Sequence, residues 1–200
     1  YPINSHKFVF SDQKEDFYLV SSRLLGYKRI DLIIEAFNWL GWPLLISGDG
    51  PERERLESKA LDNIRFLGYV SDRQRCHLMA KARGVIVAAL EDYGLVPIEA
   101  NASGTPVIAY GAGGVLDTQI PGTTGVFFKR QTPEALQAAL LEAREIPWNY
   151  AKIRDHALSH FTEDVFFNKV GQIIDKTVRG QPVNLSYSLP HSAKVPTLAR

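Results

Sequence analysis

Apolar and polar positions along the chain fall into two repeating patterns. Short runs rich in β-branched residues, without strict apolar–polar alternation, predict buried strands at 17–22, 44–46, 64–67, 85–89, 107–109 and 125–128. Apolar residues at helical spacing predict helices at 29–40, 52–60, 72–82, 97–102, 133–144, 148–159 and 163–179. Strands that are apolar on both sides are typical of parallel sheets covered on both faces. The pattern therefore predicts an α/β fold, a doubly wound parallel sheet of about six strands with helices on both faces.

The periodicity ends near Gly180. Beyond it, three prolines lie among Ser, Asn and Gly, which predicts an extended or disordered tail at 180–200. The sequence starts at Tyr1 rather than Met, which indicates a piece taken from a longer protein. We therefore expect the folded domain to span 17–179.

Composition excludes several classes of protein. The formal net charge of +1 gives no general attraction to nucleic acid, so any anion must be bound by a local site. Cys76 is the only cysteine, which excludes an internal disulfide and a Cys-rich metal site, and the five histidines lack metal-ligand spacing. We expect no metal. The apolar runs are too short for a bilayer span and no leader is present, which predicts a soluble, cytoplasmic protein.

Two cations follow the first predicted strand, in the segment Ser22-Arg23-Leu-Leu-Gly-Tyr-Lys28. In a doubly wound domain this loop lies at the ligand-binding edge of the sheet. The planar donors of Arg23 and the mobile ammonium group of Lys28 suit the oxygens of a diphosphate. The alternative is that both are solvent-exposed loop charges, which base rates favour for an isolated pair.

The segment Glu91-Asp-Tyr-Gly-Leu-Val-Pro-Ile-Glu99 places two acids around a predicted helix start. Glu91 falls in the loop after the fourth strand, and Glu99 is expected in the first turn of a helix opened by Pro97. Free backbone N–H groups at that start form an anion site, and the flanking acids can accept hydrogen bonds from sugar hydroxyls. Alternatively, Glu99 only complements the helix dipole.

Two glycine-rich loops resemble dinucleotide-binding fingerprints without completing them. Gly48-Asp-Gly50 and Gly111-Ala-Gly113-Gly114 are followed, at the sixth position, by Arg53 and Leu116 rather than glycine. An NAD-dependent enzyme is therefore a weak alternative. Gly113 and Gly114 permit a close approach of backbone to ligand, or simply a tight turn. The arginines on the charged helices, Arg53, Arg55, Arg73 and Arg75, are expected to be solvated.

Six motifs in this order resemble one family. They are Ser22-Arg-Leu…Lys28, Gly48-Asp-Gly-Pro51, Asn63-Ile-Arg-Phe-Leu-Gly-Tyr-Val70, Glu91-x7-Glu99-Ala100, Ser103-Gly-Thr-Pro-Val-Ile108 and Gly113-Gly114. Together they are similar to the C-terminal, donor-binding domain of family 4 (group 1) retaining glycosyltransferases of the GT-B fold, whose halves are Rossmann-like. The similarity covers 17–128, and the helices up to 179 also fit.

The resemblance implies a role for each matching residue. Arg23 and Lys28 would bind the donor diphosphate and offset its charge as it leaves, and Glu91 would contact the donor sugar; these three are the expected catalytic residues. Glu99 would bind the ribose hydroxyls, and Tyr69 and Val70 would line the base pocket. The remaining expected donor-binding residues surround the phosphate: Tyr93, Gly94, Leu95, Val96, Gly113 and Gly114.

The amino-acid sequence of residues 91–99 is most similar to a mannosyltransferase-like branch of this family. This resemblance makes GDP-mannose the favoured donor and a UDP-sugar the alternative. Two positions depart from the family pattern: Arg29 stands where many members have Gly, and Asp117 where many have Glu. The second departure leaves the donor-sugar contact at that position open.

The resemblance also implies what lies outside this sequence. A separate N-terminal domain would hold the acceptor, 1–16 would be a remnant of the interdomain linker, and the fragment alone would be inactive. The nucleotide-sugar is a substrate and no cofactor is expected. Contact with a membrane would involve only the missing half of a full-length, peripheral enzyme. The alternative function is a non-catalytic nucleotide-binding or partner-binding module of the same fold.

Overall fold

The protein is described by a computed structural model that covers residues 1–182. The prediction for the tail lies almost entirely outside the described residues. Within them, six strands form one sheet: β1 Tyr18–Ser21, β2 Leu44–Ser47, β3 Ile64–Gly68, β4 Gly84–Val87, β5 Val107–Tyr110 and β6 Gly125–Phe128. The helices are α1 Ile30–Leu40, α2 Arg53–Glu57, α3 Asp72–Lys81, α4 Leu95–Ala102, α5 Val115–Thr118, α6 Pro133–Glu145, α7 Tyr150–Phe161 and α8 Glu163–Val178.

The sheet is entirely parallel in the order β3-β2-β1-β4-β5-β6. The chain winds outwards from β1 to β3, returns to the centre through α3, and then winds outwards in the other direction. This reversal places β1 beside β4, where the ligand crevice of a doubly wound domain is expected. The predicted fold class is confirmed.

Two apolar layers cover the sheet. One face packs Val20 and Ile86 against α1 and α6, and the other packs Leu19 and Val85 against α3, α4 and α7. Adjacent strand residues thus point into different layers, and all four residues of β1 and of β4 are buried. Residues of both faces of the central strands are therefore buried, which explains why the sequence lacks strict alternation.

The first compact unit of the chain is Tyr1–Phe166. Its N-terminal segment packs on the sheet domain, since Ile3 and Phe8 are buried in the layer beside α7. Lys14 donates hydrogen bonds to the carbonyl of Ala80 over 2.8 Å and to Oγ1 of Thr105 over 2.7 Å. The domain boundaries predicted at residues 16 and 179 stay a prediction. The second unit begins at Phe167 and its described part contains the remainder of α8.

Candidate functional site

A cleft of about 470 Å³ opens beyond the carboxyl ends of β1 and β4. Its walls come from the loop after β1 and from the loop after β4 with the first turn of α4. Seven of the predicted site residues line it: Arg23, Lys28, Glu91, Tyr93, Gly94, Leu95 and Val96. The structure therefore brings together the two cations, the first acid and the helix start that the sequence places on separate loops.

Lys28 and Glu91 meet across this cleft. The Nζ atom of Lys28 donates to Oε1 of Glu91 over 2.7 Å, and the two side chains are 19% and 22% exposed. Burial to this degree weakens screening by water, so the pair is stronger than a typical surface ion pair. It holds an ammonium group and a carboxylate at the place where the two loops converge.

Arg23 is exposed on the loop that follows β1. The backbone beside it is fixed by two hydrogen bonds: Ser22 N–H donates to Ser47 O over 3.0 Å, and Leu24 N–H donates to Asp49 O over 2.9 Å. The guanidinium thus extends from an ordered loop into the cleft, free to bind a planar or tetrahedral anion.

The backbone of Gly48 packs directly against the backbone of Ser22 in this loop. Its φ is +123°, and a Cβ added there would lie 1.9 Å from the carbonyl oxygen of Ser22. Only glycine permits so close an approach of two backbones. The Gly48-Asp-Gly50 segment therefore packs against the loop that carries Arg23.

The start of α4 differs from the prediction. Gly94 is the N-cap with φ 84°, so the helix begins at Leu95, two residues before Pro97. Glu99 is consequently the fifth helical residue and lies in the second turn, and the expectation that it occupies the first turn was wrong. Proline is tolerated as the third residue because the N–H it lacks would have had no helical partner. The N–H groups of Leu95 and Val96 remain as donors towards the cleft.

Gly113 and Gly114 do not line the cleft. Gly114 N–H donates to the carbonyl of Glu91 over 2.8 Å, and a Cβ at Gly113 would lie 2.4 Å from that same oxygen. These glycines therefore hold the backbone of the Glu91 loop, as Gly48 holds the loop of Arg23. Asp117 lies in α5, which follows them directly.

Glu99 also lies outside the residues that line the cleft, and it is paired with Arg75. Arg75 donates through Nη1 to Oε2 and through Nη2 to Oε1, the latter over 3.3 Å. Burial opposes the charge of Arg75, but the hydrogen bond and charge of Glu99 outweigh it and raise the pKa of the guanidinium. The expectation that Arg75 is solvated was wrong, because α3 packs beside α4 and turns this side chain inwards.

The predicted base-pocket residues lie on the loop between β3 and α3. Tyr69 is 86% exposed and Val70 is partly buried, and neither lines the cleft. The ring of Tyr69 is thus available to a planar group in solution, but the structure does not join it to the cations.

Among residues 1–182, no group of three or more His, Cys, Asp or Glu side chains could hold a metal ion. Among the same residues, no helix combines the length and apolar character needed to cross a bilayer.

The match to a protein family covers most of the chain. A model described as glycosyl transferases group 1 matches residues 3–159. The chain belongs to this family. The match supports the prediction of a group 1 glycosyltransferase C-terminal domain, and it includes both loops of the cleft and the Arg75–Glu99 pair.

Curated group 1 relatives are longer than this chain. The glycogen synthase of Thermus thermophilus is 34% identical over 128 residues, which are 60% of this chain and 29% of that protein. An uncharacterized glycosyltransferase of Methanocaldococcus jannaschii is 26% identical over 141 residues, 68% of this chain and 40% of that protein. The chain thus spans less than half the length of either relative.

Solved structures share the fold. Sucrose-phosphate synthase from Thermosynechococcus elongatus superposes with a TM-score of 0.77 at 24% identity, covering 90% of this chain and 52% of that one. Anabaena HepE, in complex with UDP and glucose, gives a TM-score of 0.74 at 20% identity, covering 89% and 55%. In both cases the present fold corresponds to about half of a longer chain.

Proposed function

We propose that this domain binds a nucleotide-diphosphate sugar as the donor for a retaining hexosyl transfer. The observation that carries the proposal is the meeting of Lys28, Arg23 and the start of α4 in one cleft. Two cations and the N–H groups of the first turn of α4 would complement the charge of a diphosphate, and Glu91 would accept hydrogen bonds from sugar hydroxyls.

The same groups would assist departure of the nucleoside diphosphate. Negative charge grows on the leaving oxygen as the glycosidic bond breaks, and cations already in place stabilise that charge without reorganisation. Glu91 is held by Lys28 and acts in this proposal on the sugar hydroxyls rather than as a nucleophile. The acceptor would attack from the face of the leaving group.

Donor identity is the finer part of the proposal. The resemblance of residues 91–99 to a mannosyltransferase-like branch favours GDP-mannose. HepE, crystallised with UDP and glucose and with UDP-glucose, supports a UDP-sugar as the alternative. Glu99 would bind the ribose, and Tyr69 and Val70 would contact the base.

A separate N-terminal domain would supply the acceptor, since correct placement of the attacking hydroxyl contributes many kcal/mol. We therefore expect no transfer by the present chain alone.

Calorimetric titration of the chain with UDP, GDP and ADP tests the proposal. We expect at least one to bind, and Arg23→Ala to weaken that binding by about 1.5–3 kcal/mol, the scale of a charged hydrogen bond. Arg65→Ala, which removes an exposed arginine from β3, is the matched control and should leave affinity unchanged. Folded protein that binds none of the three nucleotides would refute the proposal. Binding without transfer, in a protein containing both domains, would favour a non-catalytic module.

A further inference from the structure

Arg75 grips the carboxylate of Glu99 with two nitrogens, one to each oxygen. The side chains are 21% and 17% exposed, so both are largely withdrawn from water. The neighbouring Asp72 is 69% exposed and reaches Arg75 only at 3.9 Å. Glu99 is therefore the main partner of Arg75, and the pair joins α3 to α4.

Glu99 stands one turn beyond the cleft on the same side of α4. Leu95 and Val96 line the cleft, and Glu99 follows them at helical spacings of four and three residues. Residues at these spacings share one helix face, and helical side chains lean towards the N-terminal end. The carboxylate of Glu99 thus lies on the helix face that borders the cleft, about one turn beyond the helix start.

A carboxylate has about four lone-pair sites, and a two-pronged guanidinium uses two of them. The other two remain available to a second pair of donors, such as the two neighbouring hydroxyls of a ribose. An unpaired glutamate side chain rotates about three bonds, and fixing it on binding costs free energy. A glutamate already held by Arg75 avoids most of this cost.

We propose that Arg75 is a positioning residue that holds Glu99 ready to bind the vicinal ribose hydroxyls of the donor nucleotide. This inference rests on the proposed function, because it assumes that a nucleoside diphosphate occupies the cleft. Arg75 itself does not touch the ligand. Its contribution should therefore show in discrimination between ribose and deoxyribose, and not in the binding of phosphate.

The test compares ligands that differ only in these hydroxyls. Calorimetry on the full 200-residue chain measures affinity for UDP and GDP, for their 2′,3′-dideoxy forms and for inorganic pyrophosphate. For whichever base binds, we expect the ribonucleotide to be preferred by about tenfold, the value of one charged hydrogen bond. Glu99→Gln and Arg75→Met should each reduce this preference to less than about threefold, with pyrophosphate affinity unchanged.

Arg73→Met is the matched control, since Arg73 is an exposed arginine of the same helix and should retain the full preference. Arg75→Lys keeps the charge but not the fork, so its preference should fall between those of the native chain and Arg75→Met. Pyrophosphate binding and circular dichroism on the same samples report folding. Should Arg75→Met fail to fold, Arg75→Lys carries the test.

The outcomes separate the two claims. Absence of UDP, GDP and ADP binding in the native chain removes the proposed function. Nucleotide binding with a full ribose preference in Arg75→Met, or in Arg75→Lys, removes the role of Arg75 and leaves the proposed function intact. Equal affinity of the native chain for ribose and dideoxyribose forms also refutes the positioning role.

Discussion

Lys28 donates a hydrogen bond to Glu91 over 2.7 Å and so joins the loop after β1 to the loop after β4. The two loops belong to opposite halves of the sheet, because the winding of the chain reverses between these strands. An anion that binds Lys28 must compete with the carboxylate of Glu91 for the same ammonium group. In the proposed function, the pair would therefore tune the affinity of the cleft for phosphate.

Removing the charge of Lys28 and removing the charge of Glu91 should change pyrophosphate affinity in opposite directions. Lys28→Met should weaken binding by about 1.5–3 kcal/mol, because a charged donor is lost. Glu91→Gln should strengthen it by about 1 kcal/mol, because the competing negative charge is removed. Calorimetric titration with inorganic pyrophosphate measures both changes. Lys59→Met and Glu142→Gln, which alter exposed residues elsewhere, are the controls; a weaker affinity in Glu91→Gln would contradict the competition.

The support under the loop of Arg23 should not tolerate a side chain. Gly48→Ala would place Cβ 1.9 Å from the oxygen of Ser22, so the two loops must separate. We expect a loss of at least about 2 kcal/mol in the free energy of unfolding, together with weaker pyrophosphate binding. Urea unfolding measures the first effect. Gly122→Ala is the control, since Gly122 also has a positive φ, +71°, but nothing lies within 4 Å of its added Cβ; equal losses in the two variants would reject the packing explanation.

Arg29 adopts a left-handed conformation, with φ 53° and ψ 39°, between the turn at Gly26–Lys28 and α1. It is the only non-glycine residue with positive φ among those the structure describes. This conformation costs about 1 kcal/mol for a residue with a Cβ. Both Arg29→Gly and Arg29→Ala remove the side chain beyond Cβ, but only glycine relieves the strain of the left-handed conformation. We therefore expect the free energy of unfolding of Arg29→Gly to be about 1 kcal/mol higher than that of Arg29→Ala. Equal stability of the two variants, measured by urea unfolding, would contradict this account.

Stability should depend on the protonation of Lys14. Burial lowers the pKa of Lys14 from 10.5 to about 7, with a smaller opposing effect of Asp12 and a reinforcing one of Lys81. Between these two pH values the folded chain releases the proton while the unfolded chain keeps it, so the free energy of unfolding rises with pH. The slope is at most about 1.4 kcal/mol per pH unit. Below about pH 7 the side chain is charged in both states and its contribution is constant.

The measurement is the difference in unfolding free energy between the native chain and Lys14→Met, from urea titrations at pH 6, 7, 8 and 9. The native chain should gain stability relative to the variant between pH 7 and 9, and the difference should be flat below pH 7. Lys152→Met, an exposed lysine on α7, should show no such change. A difference that is independent of pH would mean that Lys14 keeps its proton in the folded chain.

The sequence alone was sufficient to predict the parallel sheet and most of the charged residues that line the cleft. Strands without apolar–polar alternation predicted burial on both faces, and the loops after β1 and β4 carried the charged residues that the structure brings together. The sequence predicts the helix start two residues late, because proline commonly opens a helix and Pro97 fits that position. A proline also fits the third position, and only the backbone of Gly94 shows where the helix begins.

Contacts between helices could not be predicted from the sequence. Arg75 lies in a helix with many charged residues, and its orientation towards Glu99 depends on how α3 packs against α4. The sequence predicts a ligand contact or a tight turn at Gly113 and Gly114, whereas their added Cβ atoms would meet the backbone of the loop after β4. Close approach between distant segments leaves no periodic signal in a single sequence.

The glycines that pack against the two loops fix the loop backbones, whereas other residues supply the side chains that face the cleft. Exchanging Arg23 or Glu91 alters what the cleft attracts but leaves the loop backbones seated on Gly48 and Gly113. Because Glu91 is paired with Lys28, a change at residue 91 would alter the sugar contact and the phosphate affinity together, whereas a change of Arg23 would alter phosphate affinity alone.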